Sequence, residues 1–123
     1  MSSRGEQLDA AIAAVHVAVL AQADDLHPVH EDFHAWGHAL SELSYRLAGA
    51  CSTLEQQVAS YGHRRLLGDD DGGDPYQRLT DMRRLLADLS TRLNATGVIA
   101  HQYYAEAGHL DVEVDPDAPA GPA

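Results

Sequence analysis

The sequence predicts an all-α protein, an antiparallel three-helix bundle of unequal helices with a disordered acidic tail. Three observations carry this. Apolar residues recur at helical spacing through three segments, each segment has a start and a stop signal, and no stretch alternates as a strand would. The chain has 123 residues, enough for one domain with a modest core. We assign 1–110 to the bundle and 111–123 to the tail.

The first helix opens at Ser3 and Glu6, spaced as a capping box. Leu8, Ile12, Val15, Val19 and Leu26 then fall at spacings of three, four or their sum. Pro28 ends the helix by biasing His27 away from the helical region. The second helix takes Pro28 in its first turn and carries a heptad stripe of Phe33, Trp36, Leu40, Leu43, Leu47, Ala50, Leu54, Val58 and Tyr61. Arg64 and Arg65 suit its negative end, and Gly68 supplies a left-handed terminator. A loop follows in "GDDDGGDP", 68 to 75. The third helix starts at Asp74 and Pro75, a cap followed by a first-turn proline. It carries Leu79, Met82, Leu86, Leu89, Leu93, Ala100 and Tyr103, with a kink expected at "NATG", 94 to 97. The tail from 111 combines acidic residues with prolines, the composition of a disordered segment.

Charge narrows the functions. The net charge of −11 repels both a phosphate backbone and an anionic membrane surface, so neither nucleic acid nor membrane is expected as a partner. The longest apolar run, residues 10 to 21, falls short of the roughly 20 residues of a membrane span and lacks signal-peptide flanks. The cytoplasm is the expected compartment. Cys51 is the sole cysteine, which excludes an internal disulfide and a cysteine-built zinc site. The basic residues are all Arg, with abundant Ala, Gly and Asp, as in chains from high-GC bacterial genomes.

Helix lengths locate a partner site. The first helix, about 30 Å long, is too short to cover a second of about 60 Å and a third of about 50 Å. Placed along residues 28 to 48, it leaves the distal seam of Leu54, Val58, Tyr61, Leu79, Met82 and Leu86 without a third wall. That groove calls for a partner helix, most simply one from a second copy, in a homo-oligomer. The function expected is therefore a non-enzymatic protein interaction module, self-associating through an apolar groove.

The alternative is a metal-binding bundle for zinc or iron. "HEDFHAWGH", residues 30 to 38, resembles the zincin metalloprotease motif at His30, Glu31 and His34, with Gly37 where metzincins place a glycine. The match stops there. Position 40 is Leu40 where a third histidine belongs, and His38 comes two residues early. Glu31-x-x-His34 has a counterpart in Glu106-x-x-His109, and paired motifs of this kind serve di-iron bundles. Antiparallel packing would gather His30, Glu31, His34, His38, Glu106 and His109 at one end, joined by Asp24, Asp25, His27 and His101. If the stripe of Phe33 and Trp36 faces the core, however, these histidines face water, while metal ligands of that class point inward. Several imidazoles at one end would also titrate together near pH 6.5, as a pH sensor requires.

Other candidates carry less chemistry. "DDDGGD" at 69 to 74 lacks the spacing and closing glutamate of a calcium loop. The sequon at Asn94 has no export signal beside it. Cys51, in "AGACS", reads as a packed thiol with no base tied to it. The acidic helical chain is similar in outline to small exported helical hairpins with a Trp-x-Gly turn. Here Trp36 and Gly37 are adjacent and within a helix, so no residues carry across.

Overall fold

A computed structural model describes residues 3–111 and 113. The described chain is all-helical, with three α-helices: α1, Arg4–Asp24; α2, His30–Tyr61; and α3, Pro75–His109. At 21, 32 and 35 residues, they are unequal as the sequence predicts, with α1 the shortest, but α3 and not α2 is the longest because α2 already ends at Tyr61. Beyond Asp111 and Glu113, the expected disordered tail lies outside the described residues. The chain divides into two compact units, one from Phe33 to Leu110 and the other holding α1 and the chain up to Asp32.

In α1, Ser3 caps the helix, its Oγ accepting from the Glu6 N–H at 3.1 Å. The helix stops at Asp24, short of Leu26, because the Asp25 carboxylate accepts the His27 N–H at 2.9 Å and stabilises a turn instead. Seven alanines give α1 high intrinsic helix propensity. None of its residues is buried, and Leu8, Ile12 and Val17 are each more than half exposed.

The start of α2 differs from expectation. Pro28 lies before the helix, which begins at His30. Asp32, at the third helical position, reaches back to accept the Val29 N–H at 3.1 Å, the reciprocal half of a capping box. At the other end the helix stops at Tyr61 and passes into a single 3-10 turn, Gly62–Arg64, so Gly68 is not its terminator. Arg65 performs that task. Its Nη1 donates to the Tyr61 carbonyl at 2.9 Å and its guanidinium lies 4.2 Å from the centre of the Tyr61 ring, placing a cation on the orphan carbonyls of the helix end. In α3, Asp74 accepts the Tyr76 N–H at 2.9 Å and Pro75 occupies the first turn, as predicted. The helix continues unbroken through 94–97.

Phe33 to Leu110 is a helical hairpin. Its contacts run in opposite order along α2 and α3: Gly37 against Tyr104, Tyr45 against Gly97, Ser52 against Ser90, Glu55 against Arg83. The two helices are therefore antiparallel. The main departure from the sequence reading is which heptad closes the pair. The buried residues of α2 are Gly37, Ser41, Ser44 and Ala48, spaced four, three and four; Cys51, Glu55, Val58 and Gly62, all half-buried, continue the same rhythm. On α3 the matching positions are Leu79, Leu86, Ser90, Leu93, Gly97, Ala100, Tyr104 and Ala107, with Gly97, Ala100 and Ala107 buried. Its buried positions are all glycine, serine or alanine, while Val58, three leucines and Tyr104 fill half-buried ones. The stripe expected to form the seam, from Phe33 to Leu54, is displaced by one residue, about 100° around the helix.

Close approach explains the choice. A Cβ on Gly37 would stand 2.8 Å from the Tyr104 Cα, and one on Gly97 would stand 2.7 Å from Cε1 of Tyr45. Larger side chains would force the axes apart and break the contacts between them. The seam serines meet their own polar needs: Ser44 donates to the Leu40 carbonyl at 2.7 Å, and Ser90 donates to the Ala48 carbonyl across the pair at 3.1 Å.

Gly37→Ala should therefore destabilise the hairpin by about 1–3 kcal/mol, since backbone cannot yield to the new methyl. Gly97→Ala should cost less, because the Tyr45 ring can turn aside. At Gly49 a Cβ meets nothing within 4 Å, so Gly49→Ala should stabilise by up to about 1 kcal/mol. Thermal unfolding of the three variants tests that order.

Candidate functional site

The register that closes the hairpin decides what each side of it presents. Residues one heptad place to one side of the seam on α2 are Phe33, Leu40, Leu47, Leu54 and Tyr61; antiparallel pairing brings them beside Met82, Leu89 and Tyr103 of α3. All eight remain between 39% and 52% exposed. Trp36, half-buried, and Leu43 widen the stripe on α2. The opposite side carries His38, Tyr45, Ser52, Asn94, Val98 and His101, with Tyr45 and Val98 about half exposed. One face of the hairpin is thus continuously apolar, and the other is mixed.

The apolar face deepens toward the loop. A groove of about 720 Å³ there is lined by Leu54, Val58, Tyr61, Leu79 and Met82, with Leu67 and Pro75 at its end. Five of the six residues predicted as a partner site share this groove. Leu86 does not line it; it is half-buried on the seam.

One wall of the groove rests on a polar latch that the sequence reading missed. Asp69 accepts from Arg78 Nε at 2.8 Å through one oxygen and from the Asp71 N–H at 2.9 Å through the other. A second guanidinium nitrogen of Arg78 reaches Asp71 at 3.0 Å. The hydrogen bond from Arg78, then that from the Asp71 backbone, holds the Asp69 carboxyl below the usual aspartate range. Arg78 is pushed up in turn, chiefly by Asp69. Gly72, in the left-handed region at φ 75°, makes the turn that brings the two aspartates to the arginine. The signal was present in the sequence, an arginine one turn past an Asp-Pro helix start, but loop geometry alone turns the aspartates toward it.

Asp69, Asp70 and Asp71 are also the only His, Cys, Asp or Glu trio among the described residues whose ligand atoms approach within 4.8 Å of one another. Arg78 already provides their counter-charge. The histidine end is arranged differently. His34, expected to face water, lies on the seam and stacks on Tyr104 with ring centres 4.3 Å apart and planes 22° apart. It does so because the seam is rotated from the predicted stripe onto the histidine side. His38 and His101 stand around the same ring, each 5.9 Å from its centre. His30 Nδ1 is 3.4 Å from its neighbour Glu31, while Glu106 and His109 are exposed near the end of α3. The contacts gather three histidines on an aromatic ring, and the sequence offered no direct sign that Tyr104 would be their centre.

No match is found among protein-family models, curated proteins or solved structures. Among the described residues, no helix is long and apolar enough to cross a membrane.

The latch has a pH signature. Because Asp69 ionises below the ordinary value of 3.8 when folded, its stabilising effect is complete above that value and is lost as pH falls through the lower, folded one. Asp69→Asn should melt earlier than the parent chain at neutral pH, and the gap should close below about pH 3.8. Paired melting curves across that range measure it.

Proposed function

We propose that this chain is a non-enzymatic protein interaction module, working in the cytoplasm, that receives a helical partner on the apolar face of its hairpin. The observation that supports this is the division of labour between two heptads. Glycine, serine and alanine hold the buried positions between α2 and α3, so the large apolar side chains beside the seam keep about half of their surface exposed. Each 100 Å² of apolar surface left in water forfeits about 2.5 kcal/mol, so a face of this size is a strong driving force for association. Partner-binding residues under this reading are Leu54, Val58, Tyr61, Leu79 and Met82, with Leu86 supporting them from the seam.

The alternative, a zinc or iron bundle, would draw on His30, Glu31, His34, His38, Glu106 and His109. It has less support. Among the described residues no three of these bring ligand atoms within 4.8 Å of each other, whereas one zinc holds all of its ligands at about 2.0–2.2 Å.

The test is the openness of the groove when the chain is alone. In a Cys51→Ser background at high dilution, Leu54→Cys should react with a maleimide nearly as fast as an unstructured peptide, and Ser44→Cys on the seam should be strongly protected. Equal protection at both positions would mean that the chain covers its own groove and would remove this reading. Glu31→Ala with His34→Ala should leave the labelling pattern unchanged.

A further inference from the structure

We propose that the occupant of the apolar face is a second copy of this chain, two hairpins meeting face to face. This rests on the interaction reading above and names the partner.

Area is the first argument. Five side chains on α2, from Phe33 to Tyr61 at every seventh position, and three on α3 are each about half exposed. At roughly 200 Å² per large side chain they present about 700–800 Å², against about 800 Å² per partner in a standard interface. One hairpin face is therefore as large as a stable dimer needs.

Shape is the second. The α2 stripe extends about 42 Å from Phe33 to Tyr61 at 1.5 Å per residue. A partner must offer an equally long apolar stripe, and a second copy of the same hairpin does so with no further design. A two-fold pairing of like faces also closes on itself, so this face does not propagate into a fibre.

Charge is the third. The whole chain carries −11, yet the positions of α2 on this face, including Trp36, Leu43, Ala50 and Gln57, contain no charged residue. On α3 the flanking Arg92 is bonded to Asp88, and Arg78 to Asp69 and Asp71; Glu106 stands at the far end. A face built to select a basic partner would present carboxylates along its length. This one is neutral and matches itself, with the acidic surplus kept on other surfaces, where two copies stay apart.

Sedimentation of the full chain from low to high micromolar concentration tests the proposal. The expected mass is twice the 13.2 kDa of one chain. Leu47→Glu with Leu89→Glu should return a monomer of unchanged far-ultraviolet helicity. A dimer that survives both glutamates with helicity intact assembles elsewhere and overturns the proposal. Should the double variant lose its helices, a second measurement decides: in a Cys51→Ser background, Leu47→Cys should be protected from maleimide at high concentration and released on dilution. Protection that does not change with concentration contradicts it. A wild-type monomer at every concentration overturns the second copy as occupant. The interaction reading then survives if Leu54→Cys is labelled freely, and falls with it if Leu54→Cys is protected.

Discussion

The seam of Gly37, Ser41, Ser44 and Ala48 against Gly97, Ala100 and Ala107 is the constraint on which the hairpin depends. Small side chains let two long helices approach closely enough for backbone to touch backbone-adjacent atoms, as Gly37 and Tyr104 do. The gain is contact density; the loss is apolar area. Alanine and glycine remove little surface from water, and among the described residues no large side chain is fully buried. Hydrophobic burial scales with area, so a hairpin closed this way leaves about half of the surface of the large side chains beside the seam in reserve.

That reserve is where structure meets function. Rotating the pairing register by one residue moved the leucine stripe from the inside of the hairpin to one side of it. The same rotation brought His34 onto Tyr104 and left His38 and His101 around the ring. A single choice of seam therefore created both an apolar face and an aromatic–histidine end. The Asp69–Arg78 latch is a separate device: it fixes the loop between α2 and α3 and thereby one wall of the distal groove.

Much of the fold was legible from local rules, even where packing did not follow them, as in α1, whose apolar stripe is not buried. Ser3 and Asp74 cap their helices, Pro75 opens α3, and the apolar period identifies all three helices. The register was not legible. Both the stripe through Leu40, Leu43 and Leu47 and the one through Ser41, Ser44 and Ala48 keep a heptad rhythm. Area burial favours the first and close approach favours the second, so hydrophobicity alone selects the wrong one. The unbroken helix through Gly97 has the same origin. A glycine that reads as a breaker along the sequence is a site of contact in space, held beneath the Tyr45 ring. The groove residues were found despite the wrong seam, because Leu54, Val58, Tyr61, Leu79 and Met82 border the pair in either register. Arg65 was legible from the helix dipole and does meet the carbonyl end of α2, whereas Arg78 was harder, since it acts through a loop conformation that spacing does not reveal.

The register itself can be measured directly. Ser52 and Ser90 have their Oγ atoms 3.1 Å apart across the seam, close enough for cysteines there to reach disulfide geometry with little backbone movement. In a Cys51→Ser background, Ser52→Cys with Ser90→Cys should form an intrachain disulfide nearly quantitatively under mild oxidation of the dilute protein. A chain that stays fully helical yet forms no such bond would contradict the small-residue seam, and with it the apolar face that the seam leaves open.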